Sequence, residues 1–508
     1  MKIKRFTYFF FSFLLFLVVS SVYLFFSSCG MKGLSAVLGP GGTISGQPPV
    51  FAVSSFKLTG SNPQPLELSL GYYNNIFDPF KFVNLSIQSG FSFVPFSYSN
   101  DFRNQLTNKK VIIFGTGWRY SNPLSTDKDI FWVGKIINSN LGVSDVATFT
   151  DGGNNYKTIK GRNFVARFTT GIGGFNSNLE TSGALTFNKA TSGEYDITDF
   201  DNINEDFRAV AFKSDGSSAA FAGSIVGRNT AFYSSLPMAN WQNALSNTVF
   251  NKPPTFIAFD VIQSGATPNS FIFIGSDIAE SKAELRVFFA STNSWSNNYI
   301  DSFSSVVGTN VYPLYSSDYV SNNINQDIIR AAVIVGKGLM LYWGDNDSDG
   351  IFDLTDSFVI YLNPSITFYG GNIIKDANSN RVVLVGYDDT NQRAVIYRGI
   401  AQDSNGDVFI DSDPQEVDLS GLGLNLQNTI FLDVNSVGEN VVVVGVDLTN
   451  CNIKPYPQVG IPKLTKSLIF PGTTNDNDII NTFNNMRGVI LYSNNAGQTF
   501  TLFTNLIK

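Results

Sequence analysis

The 508-residue chain contains no histidine. That removes the usual general base near neutral pH, the Ser–His triad and the imidazole ligands of most zinc sites. Any catalysis falls to carboxylates, tyrosine or lysine. Cysteine is nearly absent: Cys29 and Cys451 are the two. If Cys29 is modified, as argued below, Cys451 has no partner and no intrachain disulfide forms. Stability then rests on burial and on bound metal, and Cys451 reads as a small residue in a loop. Charge is sparse, at 15% of residues, with a formal net of −7. No basic stripe is present, so nucleic acid is excluded as a partner. No amphipathic helical period stands out beyond the N-terminus.

Aromatics make up 14% of the chain and there are 44 glycines. Asn, Ser and Thr crowd the stretches between apolar runs. That balance suits many short strands joined by turns. An apolar run ending in glycine recurs, at Gly115, Gly171, Gly223, Gly275, Gly336, Gly386 and Gly445, with spacings of 56, 52, 52, 61, 50 and 59 residues. A second run carrying an aromatic follows each, at Trp132, Phe187, Tyr233, Phe289, Tyr342, Tyr397 and Tyr492. The period predicts an all-β fold, a β-propeller of seven four-stranded blades. In this reading each glycine ends the inner strand of a blade. Gly171 and Gly223 are weak anchors, which leaves six and eight blades open.

The unalternating runs VVLV and VVVV suit strands buried on both faces. The last blade holds about 40 residues beyond the period, between Val446 and Arg487. This insertion contains Cys451, Pro455, Pro457, Pro462 and Pro471. It reads as a surface loop of the kind that carries function. Strands between about 66 and 108 fit no blade. One of them is expected to complete the last sheet and close the ring.

The N-terminus reads as an export signal. Lys2, Lys4 and Arg5 form a basic head, an apolar run extends from Phe9 to Phe26, and Ser27-Ser28-Cys29-Gly30 follows. Small residues before a cysteine resemble a bacterial lipobox, although Phe26 stands where Leu is usual. The resemblance implies cleavage and lipidation at Cys29. The alternative is an uncleaved anchor, since the run is almost long enough to span a bilayer. Either way the bulk of the chain lies outside the cytoplasm, lipid-anchored or membrane-anchored at the bacterial cell envelope. Gly30 after the cysteine resembles lipoproteins sent to the outer membrane or cell surface. Loss of the three basic residues takes the net charge from −7 to −10. The expected domains are a signal peptide at 1–28, a flexible tether at 29–65 and the propeller at 66–508. The tether follows from the uncharged, Gly/Pro-rich stretch Gly39 to Pro49.

Ser493, Asn495, Gly497 and Phe500 lie in S-N-N-A-G-Q-T-F. This resembles the Asp-box of sialidase-like (BNR) propellers, with Asn495 for the Asp and Phe500 for the Trp. A looser copy holds Asp151, Gly153 and Tyr156. Such a hairpin needs a short acceptor for its own amides, a glycine at positive φ and an aromatic to pin the turn. The box is therefore a device of the fold.

The sharpest chemical signal is D-N-D-S-D-G-I-F-D. Asp345, Asp347 and Asp349 alternate in a tight loop, Gly350 permits the turn, Ile351 offers its carbonyl and Asp353 or Asp356 completes the shell. Hard oxygen ligands in this number suit structural Ca²⁺. Strand-like flanks replace the helices of an EF-hand, so the loop looks more like the calcium loops of integrin-type propellers. Asp403, Asn405, Asp407 and Asp411 repeat the spacing in the next blade, with Val408 at the glycine position. The alternative for both is a solvated Asp/Asn-rich turn.

Kinship with sialidase-like propellers implies an arginine triad, a Tyr nucleophile with a Glu partner and an acidic acid/base. No Arg-Ile-Pro motif is present, and Arg103, Arg119, Arg162 and Arg167 lack its context. The expected role is a protein- or glycan-binding or scaffold module. A sialidase-like glycoside hydrolase and a calcium-dependent envelope-assembly component are the alternatives.

Overall fold

The computed structural model describes residues 54–57, 66–72, 81–86, 90–95, 97–98, 109–120, 128–169, 186–187, 206–212, 219–224, 231–234, 256–264, 270–289, 292, 294–302, 312–321, 329–344, 358–375, 380–404, 407–410, 414–437 and 439–502. The chain divides into a unit at Met1–Thr43 and a unit at Ile44–Lys508. All described residues belong to the second. The signal peptide, Cys29 and Gly171 lie outside the described residues. Among the described residues no helix is long and apolar enough to cross a membrane.

The second unit is mostly β-strand. Its first sheet runs β1 (Ser54–Lys57), β2 (Leu66–Tyr72), β3 (Lys81–Ser86), β4 (Gly90–Pro95), all antiparallel. β1 falls within the span read as a tether. The short β5 (Ser97–Tyr98) pairs in parallel with a later strand, β11 (Thr186–Phe187). Next come β6 (Lys109–Tyr120), β7 (Lys128–Asn138) and β10 (Arg162–Thr169), in the order β10-β7-β6. Between β7 and β10 the chain inserts a hairpin, β8 (Val146–Asp151) and β9 (Asn154–Ile159). Then follow β12 (Asp206–Phe212), β13 (Ala219–Ser224) and β14 (Ala231–Ser234). Another sheet holds β15 (Phe256–Ser264), β16 (Ser270–Asp277), β17 (Ala283–Phe289) and β18 (Ser294–Trp295), followed by the short helix α1 (Tyr299–Ser302).

β19 (Leu314–Ser321), β20 (Ile329–Gly344), β21 (Phe358–Lys375), β22 (Asn380–Asp388), β23 (Arg393–Ser404), β24 (Asp407–Ile410) and β25 (Gln415–Glu416) form one hydrogen-bonded sheet. It is two repeats fused by long strands. β20 pairs with β19 up to Gly336 and chiefly with Phe358–Leu362 of β21 beyond it. β21 then turns to β22 from Ile366. The final sheet is β26 (Thr429–Val437), β27 (Asn440–Asp447), β29 (Arg487–Ser493) and β30 (Thr501–Leu502). Val382–Val385 in β22 and Val441–Val444 in β27 have no exposed surface, the two-sided burial their unalternating sequence requires. Apolar clusters fill the space between neighbouring sheets; Val333, Val335, Ile366, Phe368, Val382 and Leu384 form one.

The recurrent glycine has a geometric cause. The first strand of each repeat carries a β-bulge, and the glycine stands opposite its start on the second strand. Ala258 faces Gly275 before the register skips to Asp260. Leu314 faces Gly336, Phe368 faces Gly386, Phe431 faces Gly445 and Phe207 faces Gly223 in the same way. The bulged strand turns a carbonyl toward the partner. A Cβ at Gly275 would lie 1.8 Å from the Ile257 oxygen, at Gly336 2.0 Å from that of Pro313, at Gly386 2.0 Å from that of Thr367 and at Gly445 2.3 Å from that of Ile430. Only glycine fits.

This corrects the sequence reading twice. The glycines mark second strands, while the axis is lined by the strands before them. Gly115 is also out of register with the series. It lies on β6 just past the bulge, and Gly134 of β7, opposite Ile113, is the true equivalent. Gly115 is glycine for another reason: a Cβ there would lie 2.0 Å from the Arg208 oxygen of the next sheet. Gly370, also one residue past a bulge, meets Asp433 of its own next sheet at 2.7 Å.

The insertion in the last repeat is no loose loop. It packs as a cap with the β8–β9 hairpin. β28 (Phe470–Pro471) pairs with β9, through Phe470↔Lys157 and Pro471↔Tyr156. Helix α2 (Asp476–Asn485) begins at Asn475, whose side chain accepts from the Asn477 amide, with Asp476 and Asp478 in its first turn. The spacing of Ile479, Thr482 and Phe483 turns one face inward. Leu141, Phe149, Tyr156, Ile453, Leu464 and Phe483 belong to a continuous apolar core. Cys451 is buried in that core rather than on a loop surface.

Candidate functional site

Each bulge expels one residue from its ladder, and the expelled side chains converge. They are Phe114, Arg208, Phe259, Tyr315, Tyr369 and Leu432, all buried. Neighbours touch in chain order. The Arg208 guanidinium lies 5.1 Å from the Phe114 ring centroid and 5.5 Å from that of Phe259. Phe259 and Tyr315 are 5.1 Å apart, and Tyr315 and Tyr369 4.8 Å. A cation between two aromatic faces is held by their quadrupoles. Radial convergence of repeated first strands is the defining geometry of a β-propeller.

Below this layer the first strands are latched to one another. Asp260 accepts from the Ser317 amide at 2.7 Å and its hydroxyl at 3.0 Å. Asp318 accepts from Asn372 Nδ2 at 2.6 Å and the Ile373 amide at 2.9 Å. Asn372 in turn accepts from the Ser436 hydroxyl.

Above it the cap inserts the segment Lys463–Ser467. Arg208 donates to the Lys466 carbonyl at 2.8 Å and to the Ser467 carbonyl. Lys466 Nζ donates to the Tyr369 carbonyl at 3.1 Å. Thr465 donates to Glu280 Oε1 at 2.7 Å, and the Tyr315 hydroxyl donates to the other oxygen of Glu280. Lys463 bridges both oxygens of Asp389 at 3.0 and 3.1 Å, and Thr367 donates to Asp389 at 3.1 Å. Glu280 itself sits in a turn at φ 53.

Burial dominates the titration here. It pushes the Tyr315 phenol well above its ordinary range, and the neighbouring Glu280 adds to the rise. Tyr369 is raised well above by burial, then by Asp389 and Glu280. Burial lowers Lys466, against the pull of Asp433 and Asp260. Burial raises Asp260, offset by its bonds to Ser317 and by Lys466. Both phenols are held in the protonated form, and that of Tyr315 donates to Glu280.

The sequence-expected sites fall elsewhere. Asp345, Asp347, Asp349, Ile351 and Asp353 lie outside the described residues, between the end of β20 and the start of β21. Asp403 ends near the tip of β23 and Asp407 begins β24, with Ser404 opposite Asp407. Asn405 and Asp411 lie outside the described residues. Among the described residues no group of three acidic or cysteine side chains is placed to hold a metal.

The two turns read as one motif differ in geometry. At 493–500 the Ser493 hydroxyl accepts from the Gly497 amide at 3.0 Å. Asn495 accepts from the Thr499 amide at 3.1 Å and donates to the Thr499 hydroxyl at 2.9 Å. Ala496 and Gly497 have φ of 54 and 76, and Phe500 packs on the β22–β27 core. Asp151, by contrast, pairs with Asn154 across a two-residue turn, Gly152-Gly153, at φ 56 and 80. Tyr156 stacks on Phe149 at 5.7 Å in the cap, away from any repeat sheet.

The converging residues Arg208, Tyr315 and Tyr369, with Glu280 and Lys466, were not singled out from the sequence. One signal was available. Each expelled residue precedes its glycine by one strand and one turn, and Arg208 is the single charge in a position otherwise aromatic or aliphatic.

No protein-family profile matches this chain, and no curated protein matches it. Among solved structures it is similar to a post-proline cleaving enzyme from Rickettsia typhi, at 9% identity and TM-score 0.37, covering 88% of this chain and 52% of that one. It is similar to the Dos1 propeller at 11% identity and TM-score 0.27, covering 66% and 93%. It is also similar to a GH43 β-1,3-galactosidase at 9% identity and TM-score 0.27, covering 66% and 85%. The chain spans about half the length of the first of these. Likenesses at these TM-scores decide nothing about activity; the propeller rests on its own strand order and converging bulges.

Proposed function

We propose that the protein is a lipid-anchored, extracytoplasmic β-propeller that binds protein or glycan on its exposed loops. The observation that carries this is the seating of the cap segment. The chain's own Lys463–Ser467 is seated over the converging bulge residues, bonded to Arg208, Glu280, Tyr369 and Asp389. Glu280, Asp389 and Tyr315 are all spent in internal hydrogen bonds there. A sialidase-like centre needs an open arginine cluster facing a Tyr–Glu pair, whereas Arg208 is buried and turned onto cap carbonyls.

A seven-blade reading is supported by the sheets: the β1–β4 sheet, five repeats beginning at β6, β12, β15, β19 and within β21, and the final sheet. It differs from the sequence series, in which residues 66–108 fit no blade and Gly171 and Phe187 anchor one; Phe187 lies in β11, paired in parallel with β5. β1 and β2 lie against β26, and β2 lies against β6, which supports the β1–β4 sheet as the blade between last and first. Structural Ca²⁺ in the loop after β20 belongs to the same proposal, as does lipidation at Cys29.

A chain starting at residue 32 tests the role. On a glycan array and on purified envelope proteins it is expected to bind saturably, and fluorogenic sialosides and galactosides are expected to stay uncleaved. Turnover that disappears in Glu280→Gln would overturn the binder reading.

A further inference from the structure

Among the described residues, no strand from the N-terminal part enters the last sheet. β26, β27, β29 and β30 come from one consecutive stretch, and β1–β4 pair only with one another. The expected closure of the ring by a shared strand is therefore absent from the described residues. Covalent closure is absent as well, since Cys451 is a free thiol. Among the described residues the first and last sheets meet by packing alone, so contacts made elsewhere in the chain are what can fasten them.

We propose that the cap is that tie, and that Lys463–Ser467 is its keystone: a permanent fastener of the ring, not a lid over a channel. Two insertions build the cap, and both occupy the same topological place, between the second and third strands of a sheet. One belongs to β7–β10 and the other to β27–β29. They lie in the first and last repeats after the β1–β4 sheet, and they join across it. The Gly472 amide donates to the Asn155 carbonyl at 2.8 Å, Thr158 donates to the Leu468 carbonyl at 3.2 Å, and the Leu141 amide donates to Asn484 at 3.2 Å. Lys157 Nζ donates to the Thr474 carbonyl at 2.8 Å and to Asp476 at 2.7 Å.

From this clasp the keystone reaches inward to the other sheets. Arg208 of β12 holds two of its carbonyls. Glu280, between β16 and β17, holds Thr465 and also binds Tyr315 of β19. Tyr369 of β21 receives Lys466, and Asp389 between β22 and β23 receives Lys463. One five-residue segment thus engages the bulge layer of successive repeats. Leu464 within it and Leu468 directly after it are fully or almost fully buried. A displaceable lid would be attached by exposed polar contacts alone; here buried apolar side chains anchor the inserted peptide from within and from its C-terminal side.

Cys451 is a native reporter, buried in the cap beside helix α2, with its thiol donating to the Thr482 carbonyl at 3.6 Å. The test follows thiol labelling at Cys451 and hydrogen exchange by mass spectrometry across a urea series. Peptide mapping separates Cys451 from Cys29. The keystone account expects labelling of Cys451 and exchange in β12, β15 and β21 to share one midpoint. In Phe470→Ala both are expected to accelerate by the same factor, at least tenfold. Lys466→Met, which removes one tie and leaves the cap core, is expected to move both midpoints down together. If Cys451 labels and residues 463–474 exchange while the first strands keep their protection, the cap is a separable lid and the proposal fails. That result is read separately from a failure of the binding reading, which array binding and substrate turnover decide.

Discussion

The ring and the cap are held together by different kinds of contact. In the ring, most partners are close in sequence: apart from the two places where cap segments are inserted, strands of a sheet follow one another along the chain, and the bulge and its glycine lie within one hairpin. In the cap, Leu141 meets Asn484 across 343 positions and Lys157 meets Asp476 across 319. Ring sheets can form from local pairing, while the cap cannot exist until both ends of the propeller are in place. Local contacts form early and long-range ones cost loop-closure entropy first. The cap therefore reports on the assembled ring, and the comparison is sharpened by perturbing each region alone.

The largest effect is expected in the cap core. Phe470 is buried and packs edge-on to Phe483 at 6.4 Å. Phe470→Ala should cost about 3–5 kcal/mol, read by urea denaturation. A loss under about 1 kcal/mol would mean the cap adds little to the ring. In the ring, Gly275→Ala forces a methyl onto a carbonyl 1.8 Å away. A loss of about 3 kcal/mol is expected, as for severe overpacking. Gly153→Ala meets nothing within 4 Å but sits at φ 80, so its smaller loss, about 1 kcal/mol, isolates backbone strain from contact.

Alkaline titration separates the layers next. Tyr315 and Tyr369 keep their protons in the folded state to pH values well above 10. The unfolded chain releases them near 10, so it then binds fewer protons than the native state. Stability should fall as pH rises above about 10. Tyr369→Phe should shallow that slope in a pH series of denaturant melts; an unchanged slope would show that this phenol is not held protonated. Of the same order as Gly153→Ala is the effect at the turn at 493–500. Asn495→Ala removes its bonds to Thr499 and should lower stability by about 1–2 kcal/mol. Asp151→Ala, in the other turn, should stay within about 0.5 kcal/mol. Equal losses would mean the two turns share a role after all. For the loop after β20, Ca²⁺ is expected to raise the melting temperature saturably, and Asp347→Ala with Asp349→Ala to abolish the rise.

The ring was legible because its constraint is local. A bulge demands a glycine opposite, and that demand repeats at Gly223, Gly275, Gly336, Gly386 and Gly445. Gly115 misled because a different close approach, to the next sheet, also requires glycine and follows an equally apolar run. The cap was illegible because its partners are hundreds of residues apart, and prolines at 455, 457, 462 and 471 look the same in a loose loop and a packed one. The Asp151 turn shared spacing with the Ser493 turn, but spacing does not tell which sheet a hairpin joins. Glu280 and Lys466 carried no pattern at all. Their importance comes from the converging bulge layer, which the fold alone creates.

The segment Lys463–Ser467 is held to the converging bulge layer by its hydrogen bonds, and that hold is what must be measured. A double-mutant cycle between Glu280→Ala and Thr465→Val, read by urea denaturation, tests it most directly. The account predicts a coupling energy of about 1–2 kcal/mol, as expected for side chains in one hydrogen-bond network. Additive losses, within about 0.3 kcal/mol, would contradict it.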